Sequence, residues 1–318
     1  MQLVGLVAVS LPGLAALAAL LFTWMQVGQA TKELRISEQG QITGRFNAAI
    51  GNLGSQSMDV RLGGIYALQR IMEDSARDHP TVVSVLAAFA QQHAGSSTDS
   101  LKQPMTEPEA HRPKADVRAA TAVLAKRRAD RDSGAVVDLG KTDLRGLFFT
   151  DTAASIKLPR ANFSHADLRW ASLTGADLRE ASFSNANLEH ASLDATNLRG
   201  ATFQGAKLPE ASLSGADLRG AVLECTTFLM DVETGRDVGG SGCADLQRVV
   251  MEGADLRNAK MADSDLRGAL LKGTDFRGAD LSRADFRDAD LSRADFRGAT
   301  LTGVKLAGAT RDGARGLP

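Results

Sequence analysis

Hydrophobic and polar positions divide the chain into three regimes. From Met1 to Ala30 no side chain is charged. Residues 3–27 are almost wholly apolar, long enough at ~1.5 Å per residue to cross a ~30 Å hydrocarbon layer. This stretch predicts a transmembrane anchor over 1–30, because a signal peptide would carry a basic leading segment and a shorter apolar core. Trp24 falls near the downstream end, where an indole favours the interface. Lys32, Arg35 and Arg45 follow the span and nothing but the α-amino group precedes it. Positive-inside logic therefore expects a single-pass membrane protein with its bulk in the cytoplasm.

The second regime, 31–93, has helical spacing and predicts a small helical region. Ile42, Phe46, Ile50 and Leu53 share one face. Asp59 is a candidate N-cap for a helix carrying Leu62, Ile65, Leu68 and Met72, and Pro80 suits the first turn of another with Val82, Val85, Leu86 and Phe89. Residues 94–113 lose periodicity, gather Ser, Pro and Glu, and read as linker. Over 114–131, Val117, Thr121 and Leu124 predict a last helix whose apolar face could seal one end of the C-terminal half. The basic run Lys126, Arg127, Arg128 and Arg131 reads as a solvated face rather than a contact for headgroups or nucleic acid.

The third regime, 137–310, has a period of five. Large apolar residues recur from Leu158 through Phe163, Leu168, Leu173 and Leu178 to Phe228, and again from Leu246 through Leu256 to Leu306, with Met251 and Met261 in two slots. Five residues rotate an α-helix by ~500°, so a helical stripe would drift by ~140° per unit. Helix is excluded. Ala stands two places before most of these residues, so in extended backbone both point inward and the Asp or Asn between them points out. The remaining two residues turn a corner. Phe163, Phe183 and Phe203 are spaced by twenty, which predicts four sides per coil, with Phe276, Phe286 and Phe296 in the same kind of core slot. Fifteen units before the break and thirteen after it predict seven coils, a rod ~34 Å long. Residues 229–243 interrupt the pattern and predict a protruding loop. Its charged residues Asp231, Glu233, Arg236 and Asp237 are candidate partner contacts, since functional residues favour loops on rigid scaffolds.

Units such as ADLRG, ADLRE, ANLEH, ADFRD and ADLSR resemble the pentapeptide-repeat family. The resemblance implies a right-handed quadrilateral β-helix, so the fold class expected is α+β: an N-terminal transmembrane helix and short helices, then the solenoid. The segments EQGQITGRFNAAI, DVRLGGIYALQRI and DHPTVVSVLAAF also resemble the front part of membrane-anchored actinobacterial pentapeptide-repeat proteins. Some family members mimic duplex DNA and bind DNA topoisomerases, which makes gyrase protection or inhibition the alternative function. Mimicry needs a strongly acidic surface.

Charge argues against it. The whole chain has net charge −1 from 37 basic and 38 acidic side chains. Residues 158–228 hold eight acidic and six basic side chains, and 244–306 hold eleven of each. A nucleic-acid partner is not supported either. Two cysteines, Cys225 and Cys243, cannot make a disulfide framework and read as thiols in a reducing compartment. Gly140, Lys141 and Thr142 mimic the end of a phosphate-binding loop, but Ala135 stands where its first glycine should. His79, His93, His111, His165 and His190 show no ligand spacing, so no metal, cofactor or general base is nominated. A filled coil has no cleft for catalysis. The expected function is a non-catalytic, membrane-anchored scaffold or protein-interaction module presenting its faces to an unknown protein partner. The tail after Leu306 drops the motif without an apolar capping helix, leaving room for a homodimer paired end to end.

Overall fold

The computed structural model describes residues 2–97, 112–149, 156–224 and 244–317, with backbone alone for 2–18, 30 and 33–39. Four helices precede the rod: α1 (Gln2–Leu53), α2 (Met58–Asp74), α3 (His79–His93) and α4 (Ala115–Lys126). The boundary expected at 30 does not exist as a break, because α1 runs through it as one helix of 52 residues. Among the described residues no helix is long and apolar enough to cross a membrane. This overturns the expected transmembrane anchor, together with the single-pass assignment and the cytoplasmic placement derived from it.

Most of the apolar faces read from the sequence meet in one cluster: Leu53 of α1, Ile65, Leu68 and Met72 of α2, Val82, Leu86 and Phe89 of α3, Val117 and Leu124 of α4, with Ile42 and Phe46 partly buried against it; Ile50, expected on the same face of α1, is instead exposed and Ala49 takes the buried position. The α1–α2 crossing depends on Gly64, where a Cβ would stand 2.9 Å from the Ala49 carbonyl oxygen. Ser57, not Asp59, holds the N-cap position of α2, and Pro80 lies in the first turn of α3. Most of the expected linker, 98–111, lies outside the described residues. The first residues of that expected linker instead dock on the rod: Ser96 bridges Thr142, and the Asp143 amide donates to Gly95 O at 3.1 Å.

From Asp138 to Arg315 the chain winds into a right-handed β-helix of square section. Each side contributes one outward residue, paired in parallel with the residue twenty positions on, as in Asp177↔Asn197↔Asp217. Core residues close the ladder. The Leu168 amide donates to Asn187 O at 2.7 Å on the next coil, and the Asn187 amide to Ala166 O at 2.9 Å on the previous one. At each corner the chain tightens, as where Ala171 N–H donates to Leu168 O at 3.0 Å. The residue just before that donor takes positive φ, 61° at Trp170, which explains the abundant glycine in this slot. At Gly205 a Cβ would collide with Asn185 Oδ1 on the previous coil.

The interior is full. Phe163, Phe183, Phe203, Leu168, Leu178, Leu256, Phe276 and Phe286 are completely buried and Phe296 nearly so. Phe163 stacks on Phe183 at 5.2 Å and Phe183 on Phe203 at 5.0 Å between ring centroids. Polar residues in the alanine slot are satisfied by the adjacent coil, as where Thr274 Oγ1 donates to Met251 O at 2.8 Å.

Two details differ from the sequence pattern. Ala244 N–H donates to Leu223 O at 3.5 Å, the same corner bond that Ala221 makes to Leu218 at 2.9 Å. The side 244–248 therefore continues directly from 219–223, Leu246 takes the core slot expected for Phe228, and the insertion is longer than 229–243. At the other end, Thr310 and Arg315 still pair with Asp290 and Asp295. Backbone pairing thus outlasts the motif, giving about eight coils and a rod of roughly 38 Å rather than seven.

Candidate interaction surface

Because the register repeats every twenty residues, each outward side chain belongs to a straight column on one of four faces. One face carries Lys157, Asp177, Asn197, Asp217, Asp255, Asp275, Asp295 and Arg315 in one column and, from Asp177 on, Arg179, Arg199, Arg219, Arg257, Arg277 and Arg297 in the next. Each Asp accepts from the Arg two residues on: Arg257 Nη2 to Asp255 Oδ2 at 2.7 Å, Arg277 Nη2 to Asp275 Oδ2 at 2.7 Å, Arg297 Nη2 to Asp295 Oδ2 at 2.6 Å. Coils are also linked, with Arg219 Nε 3.5 Å from Asp255 and Arg257 Nε 3.7 Å from Asp275. Hydrogen bonds from Arg219, Arg277 and Arg297 hold Asp217, Asp275 and Asp295 below the usual carboxylate range, Asp295 at about 2.

The opposite face repeats the device. Arg267 pairs with Asp265 at 2.6 Å and Arg287 with Asp285 at 2.6 Å, and the Arg287 hydrogen bond lowers Asp285 to about 2. Near its start Arg145 and Arg169 are buried against Asp143 and Asp167, at 2.7 Å in each pair.

The other two faces are hydroxyl-rich over the first half of the rod. Asn162, Ser182 and Thr202 form one column and Ser172, Ser192 and Ser212 the other. Ser164 Oγ lies 2.9 Å from Ser182 Oγ and Thr174 Oγ1 2.8 Å from Ser192 Oγ. One corner carries a different pattern: Trp170, 39% exposed, stacks on His190 at 4.1 Å, His190 Nδ1 lies 3.3 Å from Glu210, and Arg248 pairs with Glu210 in turn.

Asp231, Glu233, Arg236 and Asp237, with Cys225 and Cys243, lie outside the described residues. The phosphate-loop mimic is a corner of the first coil, where Lys141 has φ 59° and Thr142 Oγ1 donates to Leu139 O at 2.6 Å. His165 and His190 stand at different corners, and burial, reinforced by nearby Lys141, lowers the basicity of His165. Among the described residues no group of three or more His, Cys, Asp or Glu could hold a metal ion. The division into two charged and two hydroxyl faces escapes a five-residue reading. Counting outward residues by twenties reveals it, and the same count brings Trp170 beside His190.

The Pentapeptide repeats family model matches in eight copies over residues 161–200, 196–228, 244–273 and 269–308. No curated protein sequence matches the chain. Among the solved structures similar to this chain are three that follow. A trypsin-treated form of QnrB1, a plasmid-mediated fluoroquinolone resistance protein, is 26% identical, with 53% of this chain and 73% of that one covered and a TM-score of 0.43. HetL, involved in heterocyst differentiation regulation in the cyanobacterium Nostoc, is 30% identical over 56% of this chain and 84% of its own, with a TM-score of 0.20. A protein of the Arabidopsis thaliana thylakoid lumen is 32% identical over 36% and 66%, with a TM-score of 0.29.

Proposed function

Since the chain belongs to the pentapeptide-repeat family, we propose that it works as a non-catalytic interaction module whose rigid rod presents columns of side chains to a protein partner. The observation that carries this reading is the combination of a completely filled interior with flat outer faces in strict register. Such a scaffold has no cleft in which to orient a substrate, yet it fixes the spacing of outward groups along its length at ~4.8 Å. The insertion that includes Asp231, Glu233, Arg236 and Asp237 is the proposed specificity element, because it interrupts the regular succession of five-residue sides. The exposed Trp170 is the proposed anchor on the rod itself, as aromatic residues dominate binding hot spots.

The end of the last coil supports a second contact, with another copy of the chain. Leu301, Val304, Leu306 and Leu317 pack against the core there but are only partly buried. Duplex mimicry of the kind that engages topoisomerases draws no support from the charged faces, since their carboxylates are tied to arginines along both columns.

Cross-linking mass spectrometry on the full chain in its source cells tests the reading. A stoichiometric protein partner should cross-link to the insertion or beside Trp170, and replacing Asp231, Glu233, Arg236 and Asp237 by alanine, or Trp170→Ala, should weaken capture at least tenfold. A partner unaffected by either change would remove the proposed surface. A gyrase supercoiling assay with the same protein should show no inhibition at micromolar concentration.

A further inference from the structure

Followed coil by coil, one corner of the rod reads Gly146, Trp170, His190, Glu210 and Arg248, in the register that Asp143↔Asp167↔Asn187↔Lys207↔Asp245 fixes on the adjoining face. Gly146 and Trp170 both take the positive φ of this slot, 61° in each, and the Gly146 amide donates to Arg169 O at 2.9 Å. His190 covers one face of the Trp170 ring, with centroids 4.1 Å apart and planes 23° from parallel. The rung on the other side is Gly146, which has no side chain to lay on the opposite ring face. Trp170 keeps 39% of its surface exposed even with His190 in place.

An outward ring at this end of the rod already holds a guanidinium. Phe148, two residues past Gly146, has Arg112 at 4.4 Å and Arg118 at 6.0 Å over its ring centroid. Indole attracts cations more strongly than a phenyl ring, yet among the described residues no cation lies over Trp170. The charged groups around it are unevenly committed. Arg248 is spent on Glu210, which also lies 3.3 Å from His190 Nδ1, and the buried Arg169 is spent on Asp167. Glu189 is not tied in this way. Its side chain is 42% exposed, its carboxylate accepts no hydrogen bond among the described residues, and His190 Nε2 lies 3.9 Å away, beyond hydrogen-bond reach. Glu189 also adjoins Trp170 directly, because the Trp170 amide donates to Glu189 O at 3.1 Å.

Building on Trp170 as the anchor of the partner surface, we propose that this corner receives an arginine side chain of the protein partner. Its guanidinium stacks on the uncovered face of Trp170, completing the column where Gly146 leaves a rung empty, and Glu189 answers its charge. A guanidinium is a flat plate like the imidazole on the other face, and it can lie on an aromatic ring while its edge stays turned to a carboxylate. A neutral aromatic side chain would fill the same rung but leave Glu189 without a counter-ion. The partner is thereby narrowed to a protein whose contact segment exposes arginine.

The chain has two tryptophans, so Trp24→Phe leaves Trp170 as the sole indole reporter. Titrating that full-length protein with a short arginine peptide at fixed ionic strength should give a saturable change in Trp170 fluorescence. The citrulline counterpart, of the same shape but uncharged, should bind roughly fivefold more weakly. Glu189→Gln, with circular dichroism unchanged, should weaken the arginine peptide roughly threefold. Equal binding of the citrulline peptide, no saturable change, tighter binding of a tyrosine peptide, or an unaltered affinity in Glu189→Gln overturns the arginine assignment. If Trp170→Ala still lowers capture of the cellular partner alongside any of those results, the anchor stands and only its arginine falls. Capture unaffected by Trp170→Ala removes the anchor itself, and this proposal with it, even where the peptide binds.

Discussion

Phe183 is the most informative core position, because its ring has another phenylalanine on either side. The centroid separations are 5.2 and 5.0 Å with interplanar angles of 4° and 8°, and the side chain is completely buried. Truncation to alanine removes the whole ring from a stack that cannot collapse, since the four walls are locked by the ladder of backbone bonds. The lost transfer energy of a buried Phe is about 1.5–3 kcal/mol, and each lost ring pair is worth about 0.5–1.5 kcal/mol more. The total falls near ~4 kcal/mol, within the usual range for buried Phe→Ala. Phe183→Leu should cost only ~1–1.5 kcal/mol, because leucine already fills the same slot at Leu188, Leu193 and Leu198. Outward Ser184→Ala should be nearly neutral. Differential scanning calorimetry should show Phe183→Ala melting roughly 8–16 °C lower, at ~2–4 °C per kcal/mol. Its transition should also broaden, since a solenoid is coupled only between neighbours. A Phe183→Ala protein within ~1 kcal/mol of wild type, or one no worse than Ser184→Ala, would refute the picture of a solid interior.

Three further outcomes are expected. Asp285 and Asp295 have folded values of about 2, below the ~3.9 of an unfolded Asp. Their contribution is therefore complete above the unfolded value and is lost as pH falls towards 2. Melting temperature should drop between about pH 4 and pH 2, less steeply in the Asp285→Asn, Asp295→Asn protein; a flat profile in wild type would count against the ladder as a stabilising device. In α2, Gly63→Ala should stabilise by ~0.5–1 kcal/mol because no atom lies within 4 Å of the added Cβ. Gly64→Ala should destabilise by ~1–3 kcal/mol through contact with Ala49 O, and urea titrations giving both changes the same sign would contradict this helix crossing. Finally, Asp132→Ala leaves Arg127 buried without its carboxylate and should cost ~3–5 kcal/mol, whereas exposed Asp130→Ala should cost under ~1 kcal/mol in the same denaturation assay.

The rod is legible in the sequence because its signal is redundant. A period of five, incompatible with helix, recurs with Ala two places before each Leu or Phe, so one misplaced unit changes little. Legibility fails where a backbone bond, not a side-chain preference, sets the outcome. Phe228 continues the apolar period in sequence, but the Ala244 amide closes on Leu223 and gives the slot to Leu246. Thr310 and Arg315 lack the motif yet stay paired, because a coil needs only a backbone edge beneath it. The apolar start of the chain is the other departure: among the described residues no helix is long and apolar enough to cross a membrane, and α1 runs on without a break to Leu53.

The same distinction locates the functional information. Residues that build the coil are nearly interchangeable from side to side, so they cannot tell one partner from another. On the proposed reading, specificity comes from surface positions that break the monotony, the insertion after Leu223 and the Trp170–His190 corner, while the junction of His79, Arg127 and Asp132 is buried and structural. That junction is invisible to periodicity because its members are separated by 53 and 5 positions. His79 shows no ligand spacing, and Arg127 belongs to a run that reads as exposed. Only the end of α4 at Lys126 turns Arg127 inward, and the Lys157 amide, donating to Ala125 O at 2.7 Å, then joins helix to rod. A chain assembled from near-identical sides thus concentrates its distinctive chemistry where the repeat begins and where it is interrupted.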